Sequence, residues 1–210
     1  MWPLPARIHL KGRAVCLEPM SVDHVPELWL AAQDAERSWT YLRYGPFESE
    51  LPMKASVAEL VAKKEQPFWV ARPTTTGKAE GWLSLCDIYP ADGAIEIGSI
   101  WYSPRLQRTR ASTEAVFILM SYAFDELAYQ RMVWRCNAEN RTSLNSAQRY
   151  GFKFEGIWRS AALVKGKRID LAWHSMLAEE WPTRRSALSA WLADSNFDNA
   201  GRALNPLPHP

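Results

Sequence analysis

The run SPRLQRTRASTEAVFILMSYAF, residues 103–124, constrains this chain more than any other stretch. Val116, Leu119, Met120, Ala123 and Leu127 recur at helical spacing, which predicts a helix from Ser112 to Leu127. That helix is apolar on most sides and has to be covered along much of its length, so the fold must supply a layer for it to pack against. Its start is the opposite in character. Gln107, Arg108 and Arg110 precede it, and Ser112 and Thr113 add hydroxyl donors. A helix start exposes unpaired N–H groups and a partial positive charge, so a tight loop entering one is a natural seat for a phosphate or pyrophosphate. Ordinary capping by Ser112 or Thr113 with Glu114, beside solvated arginines, accounts for the same residues.

The rest of the chain alternates short strands and helices. RIHLKGRAVCLEPM reads as a first strand or small hairpin around Lys11-Gly12, and Ser21 stands as the N-cap of VDHVPELWLAAQ. TYLRYGPFESELP carries Gly45, Pro46 and Pro52 and reads as a loop, after which KASVAELVAKKE is an amphipathic helix. PFWVARP, AEGWLSLCDI and AIEIGSIWYS are three strands, and RMVWRCNA a fourth beyond the apolar helix. SLNSAQRY is a short helix closed by Gly151, and two extended runs around Lys165-Gly166-Lys167 form a hairpin. A meander of strands that feeds a long helix and then a further strand makes a mixed α/β (α+β) sheet flanked by helices, with the helix as its right-handed crossover.

At 210 residues the chain fits one α/β domain with an added tail, assigned as 1–182 and 183–210, the latter one short helix and then a flexible Pro-rich end. A net charge of +2 gives no reason to expect nucleic acid or an anionic membrane as partner. The amino terminus lacks the apolar core of a signal peptide, and no window reaches the roughly 18 apolar residues of a membrane span, so a cytoplasmic protein is expected. Cys16, Cys86 and Cys136 are odd in number, widely spaced and set in apolar segments, so they read as reduced core thiols and no metal site is expected. The eleven tryptophans are scattered from Trp2 to Trp191, which suits core and rim positions with a minority at a pocket.

Gln107-Arg108-Thr109-Arg110-Ala111-Ser112, followed by Thr113-Glu114-Ala115, resembles the Gln/Arg-x-x-Gly-x-Gly/Ala cofactor motif of the GNAT superfamily of acyl-CoA-dependent N-acyltransferases. Arg110 stands where the motif has its central glycine, and Ser112 at the last small position. NRTSLNSAQRYGFKFEG is similar to a second family feature, Asn-x-x-Ser at Asn140 and Ser143, with Gly151-Phe152 and Glu155-Gly156 following at family spacing. The ending RIDLAWHSMLAEEWP resembles the last strand of the branch that holds the ribosomal-protein acetyltransferases RimJ and RimL. The likeness covers about residues 8 to 182. It implies the GNAT fold, a mixed and mostly antiparallel sheet with a splayed central strand pair into which the CoA arm inserts. It further implies acetyl-CoA as donor, a primary amine or a protein amino terminus as acceptor, and a homodimer. The cofactor residues it implies are Ile100, Trp101 and Tyr102, through backbone groups, then Gln107, Arg108, Thr109, Arg110, Ala111, Ser112 and Thr113, and finally Asn140 and Ser143.

Amine attack on a thioester needs a base for the ammonium proton, donors for the oxyanion and an acid for the departing thiolate. Glu96 lies ahead of Gln107 at the spacing of the superfamily's general-base glutamate. The RimL-like pattern instead places a glutamate just ahead of the cofactor motif, where this chain has Pro104. A strand carboxylate facing solvent or a neighbour is the plain alternative. Ser143 matches the acid position of RimL-like enzymes, while the tyrosine that other members use would fall at Ala147. A helix-start serine also has an ordinary role in bonding the backbone. His174 has a suitable intrinsic pKa, but a lone strand histidine reads as structural. Trp39, Tyr41, Arg43, Tyr44 and Trp158 are the acceptor walls implied by the fold, suited to an amine bearing a carboxylate or to a protein amino terminus. Two rivals remain at this level, a succinyl-CoA-type donor and a CoA-binding module without turnover.

Overall fold

A computed structural model describes residues 1–208 of the chain; the end of the Pro-rich segment, His209 and Pro210, lies outside the described residues. Its strands are β1 (Leu10–Lys11), β2 (Val15–Pro19), β3 (Phe68–Pro73), β4 (Gly81–Tyr89), β5 (Ala94–Tyr102), β6 (Arg131–Asn137), β7 (Lys153–Val164) and β8 (Lys167–Leu177). They form one sheet in the order β1-β2-β3-β4-β5-β6-β8-β7. β5 and β6 run parallel, Ala94–Glu96 against Arg131–Val133, as a strand, helix, strand crossover requires. The mixed, mostly antiparallel sheet expected from the sequence is therefore present. The helices are α1 (Val25–Ala31), α2 (Glu50–Ala62), α3 (Arg110–Ser121), α4 (Arg141–Tyr150) and α5 (Trp181–Trp191). Among the described residues no helix is long and apolar enough to cross a membrane, and no group of three or more His, Cys, Asp or Glu could hold a metal ion.

The chain gathers into two compact units, one of Pro5–Ile88 with Gly98–Leu119, the other of Met1–Leu4, Tyr89–Ile97 and the chain from Met120 on. In the first unit, Ser21 caps a 3₁₀ turn at Val22–His24 rather than α1 itself, and His24 closes the capping box by accepting from the Ser21 N–H at 3.1 Å. α2 begins at Glu50, ahead of the point where Pro52 was expected to end a loop. Pro52 sits in the first turn, where its missing N–H has no partner to lose. The core of this unit joins Val25, Leu28 and Ala31 of α1 with Met53, Val57 and Leu60 of α2 over Phe68, Val70, Trp82 and Trp101 of the strands.

α3 is held at its start and along its length. Thr109, not Ser112 or Thr113, is the cap: its hydroxyl accepts from the Ser112 N–H at 3.1 Å. Beyond Ser121 the helix widens into one π-helical turn at Tyr122–Glu126. Glu114 is buried, and its carboxylate accepts from the backbone N–H groups of Arg13 (3.0 Å), Ala14 (2.6 Å) and Val15 (3.0 Å) in the turn between β1 and β2. Gly12 is needed there for room. A Cβ on it would lie 2.4 Å from a Glu114 carboxylate oxygen.

In the second unit, Asn140 caps α4 by accepting from the Ser143 N–H at 3.1 Å, and Gly151 ends the helix at φ 94°. Lys165 and Gly166, at φ 48° and 76°, make the expected hairpin turn between β7 and β8. α5 starts at Trp181, and the segment after it packs back. Trp191 Nε1 donates to the Asn205 carbonyl at 2.9 Å, Leu207 is buried, and the buried Arg184 guanidinium donates to the carbonyls of Tyr150 (3.1 Å), Pro208 (2.7 Å) and Arg149.

These anchors set two expectations for stability. Glu114→Ala leaves three inward N–H groups unpaired and is expected to lower the urea unfolding free energy by about 3 kcal/mol, while Glu114→Gln, which keeps one acceptor, loses about 1 kcal/mol. Arg184→Met is expected to cost about 2 kcal/mol and to open the segment 197–208 to protease cleavage while the rest of the chain stays resistant. Unchanged digestion would show that Trp191 and Leu207 suffice to hold the segment.

Candidate active site

In the first unit, the loop that enters α3 is built by side-chain hydrogen bonds at both ends. Ser103 and Glu80 are buried, the Ser103 hydroxyl donates to Glu80 at 2.7 Å, and the Ser103 N–H donates to the Glu80 carbonyl at 2.9 Å. Ser103 returns two acceptors to the loop. Its hydroxyl oxygen takes the Leu106 N–H at 3.2 Å and its carbonyl takes the Gln107 N–H at 3.1 Å. At the far end the hydroxyls of Ser112 and Thr113, expected as donors to a phosphate, donate to the Thr109 carbonyl at 2.8 and 3.2 Å. Gln107 and Arg108 are exposed, and Arg110 is half-buried on the first turn of α3. Arg108 carries φ 61°, whereas Arg110, in the glycine position of the motif, is helical. A loop with exposed cationic donors, closed onto a helix start, has the chemistry of a pyrophosphate seat.

The second half of β5 belongs to the same unit. Ser99 is left-handed at φ 52°, its hydroxyl takes a hydrogen bond from Gln66 at 3.1 Å, and its carbonyl takes one from the Tyr44 hydroxyl at 3.4 Å. Ile100 and Tyr102 are half-buried, and Trp101 is in the core, donating to the Ser38 hydroxyl at 2.9 Å. Trp39, at 1% exposure, stacks on Trp101 with ring centroids 4.3 Å apart. Tyr44 accepts from Trp82 Nε1 at 3.1 Å, and burial pushes its phenol well above the ordinary value. Trp39 and Tyr44 thus belong to a packed aromatic cluster. Tyr41 and Arg43 are both exposed. Trp39 also lines a cavity of about 300 Å³ with Glu36, Phe47 and Glu48.

The second unit holds the carboxylate and the hydroxyl singled out from the sequence. Glu96 is buried on β5, its side chain 8% exposed, and pairs with Arg135 Nε of β6 at 2.8 Å. The Arg135 guanidinium lies 4.9 Å from the centroid of Trp173, whose ring meets that of Trp158 at 4.2 Å with a tilt of 38°. Trp158 is 59% exposed. Ser143, on the first turn of α4, accepts from Trp134 Nε1 at 3.0 Å. Burial pushes the nearby Cys136 thiol up, against a hydrogen bond from Ser143 and with a further push from the charge of Glu96. His174 is buried, and burial pulls its imidazole below the ordinary value despite a bond to the Trp134 backbone and the Glu155 charge. It stands neutral at pH 7. Its Nδ1 has no hydrogen-bond partner among the described residues, and its ring meets Phe154 edge-on at 5.4 Å.

Sequence reasoning missed Arg135, Trp173, Trp134 and Glu80. Strand alternation within RMVWRCN places Arg135 on the face of Val133, and register pairs Val133 with Glu96, so the Arg135 signal was present but needed the pairing to be read. Trp173 and Trp134 carry no motif, and their partners lie on other strands and on α4.

The chain matches the family model for an acetyltransferase (GNAT) domain over residues 14–153. It is 40% identical to a GCN5-related N-acetyltransferase from Brucella melitensis, covering 98% of this chain and 95% of that one, with a TM-score of 0.95. A Bacillus subtilis protein provisionally named the ribosomal N-acetyltransferase YdaF is 25% identical over 166 residues, covering 79% of this chain and 90% of the relative. The structure of RimL, the ribosomal L7/L12 alpha-N-protein acetyltransferase, is 19% identical and shares the fold at a TM-score of 0.70, covering 81% of this chain and 94% of that one. These likenesses agree with the RimJ/RimL-like branch read from the sequence, and the chain belongs to the GNAT family of N-acetyltransferases.

Proposed function

We propose that this N-acetyltransferase moves an acetyl group from acetyl-CoA to a primary amine, with Glu96 as general base and Ser143 as general acid. The observation that carries the reading is the buried Glu96 carboxylate, oriented by its 2.8 Å ion pair with Arg135. Acetyl-CoA, when bound, supplies the thioester carbonyl that the amine attacks. Glu96 accepts the ammonium proton directly or through a water, since a buried carboxylate held at a fixed angle is a competent acceptor. The Ser143 hydroxyl oxygen already accepts from Trp134 Nε1, which polarises its own O–H for donation toward a thiolate. Exposed Arg108 and Gln107 with Arg110 at the start of α3 are the residues that fit a pyrophosphate. The name carried by YdaF supports a ribosomal-protein amino terminus among the acceptors, beside small amines. Tyr41, Arg43 and Trp158, the members of the acceptor set that reach solvent, are the contacts this reading retains.

Calorimetric titration with acetyl-CoA, succinyl-CoA and CoA tests the donor. Acetyl-CoA and CoA are expected to bind, and Arg108→Ala to weaken both by about tenfold with a shallower salt dependence, as the loss of one phosphate contact requires. Absence of binding by all three would overturn the cofactor assignment. Free-thiol release with acetyl-CoA and a panel of short peptides beginning in Ser, Ala or Met, alongside putrescine and lysine, tests the transfer. In that assay Glu96→Gln is expected to lower kcat by about 10² to 10⁴ while acetyl-CoA affinity holds within about twofold. An unchanged kcat would remove Glu96 from the mechanism.

A further inference from the structure

Glu96, Arg135, Trp173 and Trp158 form a continuous sequence of contacts on one face of the strands of the second unit. Glu96 is opposite Val133 in the β5–β6 register, Val133 is opposite Ser175 and Arg135 opposite Trp173 in the β6–β8 register, and Trp158 is opposite Leu171 in the β7–β8 register. Residues two apart on a strand share a face, so all four side chains emerge on the same side. The guanidinium uses both of its directional properties. Its Nε donates to the Glu96 carboxylate at 2.8 Å and its central carbon lies over the Trp173 ring, 4.9 Å from the centroid. Trp158, tilted against the Trp173 ring with centroids 4.2 Å apart, supports the other member of the pair from the outer strand. A long side chain 27% exposed would otherwise sample many rotamers; lying on an indole plane narrows that set and sets the direction of its N–H edge. The Cys136 thiol, also on β6, feels the Glu96 charge, and Arg131 on the face of Arg135 pairs with Glu155.

We propose that Arg135, braced by the Trp173–Trp158 ring contact, is the positioning residue of the general base Glu96. The inference rests on the reading of Glu96 as base. Its consequence is specific: the guanidinium contributes to the chemical step and not to donor affinity, and it does so only while position 96 is a carboxylate.

The test is steady-state thiol release with acetyl-CoA and the fastest peptide or amine of the panel, on Arg135→Met, Arg135→Lys, Trp173→Phe and Trp173→Leu, with Arg135→Met repeated in a Glu96→Gln background. Arg135→Met is expected to lower kcat about 100-fold, the scale of loss for a misplaced catalytic group, with the KM for acetyl-CoA within about twofold. Arg135→Lys, a point charge without a flat face, recovers part of that loss. Trp173→Phe retains most activity and Trp173→Leu loses about tenfold, because the ring face is the support. In the Glu96→Gln background Arg135→Met costs no more than about twofold, since the two residues act as a unit. Equal losses in both backgrounds, or parallel changes in kcat and the KM for acetyl-CoA, would assign the ion pair to holding β5 on β6 and overturn the inference. If Glu96→Gln is active, the base reading fails; if Glu96→Gln is crippled and Arg135→Met is not, the positioning inference alone fails. Should Arg135→Met not fold, Arg135→Lys and Trp173→Leu decide by the same split.

Discussion

Three backbone N–H groups, from the turn before β2 and its first residue, converge on the Glu114 carboxylate, and the placement of α3 within its unit depends on that convergence. Turn N–H groups that face inward must find an acceptor, because leaving one unpaired costs about 1 to 3 kcal/mol. The side chain that reaches all three comes from the second turn of α3, so the pairing fixes how the helix lies against the β1–β2 hairpin. Gly12 yields the space for it. With the helix body fixed, its first turn is left to be set by Thr109, Ser112 and the Ser103–Glu80 pair. The donors of Gln107, Arg108 and Arg110 are presented by a loop that has no slack at either end.

A second constraint acts on β5, which carries unlike environments along its length. Its first half holds Ile95 and Ile97 in the core and a charged Glu96 between them, buried with an arginine as partner. Removing a carboxylate from water without compensation is costly enough that the pair with Arg135 is a condition of Glu96 being there at all. Its second half brings Trp101 into the stack with Trp39 and Trp82, past a left-handed Ser99 that Gln66 and Tyr44 hold. The high tryptophan content is largely spent on such packing. Trp69 and Trp82 are fully buried, Trp134 and Trp181 pack on Tyr150 and Phe124, and among the described residues only Trp158 presents most of its ring to solvent.

Periodicity and turn chemistry made the order of elements legible, because each strand and helix repeats its own signal: the β1–β2 hairpin, the long apolar helix, Gly151 and the Lys165-Gly166 turn all appear where the residues indicate. Boundaries were less legible where one residue plays against its usual role. Pro52 marks a break in most contexts, yet at the first turn of α2 it costs nothing. Ser112 and Thr113 have the composition of caps, but capping falls to the residue just before the helix, which is Thr109. The candidate site was legible only as a set of types. Glu96 and Ser143 could be named as candidates because their chain neighbours resemble motifs, whereas the pairing of Arg135 with Glu96 and Trp173 depends on cross-strand register, which no local window contains. Likewise Trp39 and Tyr44 share composition with a binding wall, and packing sets them in an aromatic cluster, from which Trp39 also lines a cavity.

The departure at the cofactor motif has a backbone explanation. A glycine is required where φ is positive or where a Cβ would strike a neighbour. Arg110 stands as the first residue of α3, a position where any side chain adopts helical angles. The left-handed residue of this loop is Arg108, at φ 61°, two positions earlier. An L-residue there costs on the order of 1 kcal/mol, and the cost is sustained because the Ser103 bonds on one side and the Thr109 cap on the other leave the chain no other path. The exchange replaces a bare backbone approach with two guanidinium groups, one exposed on a strained residue and one half-buried on the helix. Planar, permanently charged donors suit a diphosphate as well as N–H groups do, so under the proposed reading guanidinium groups supply the contacts that bare backbone would otherwise make.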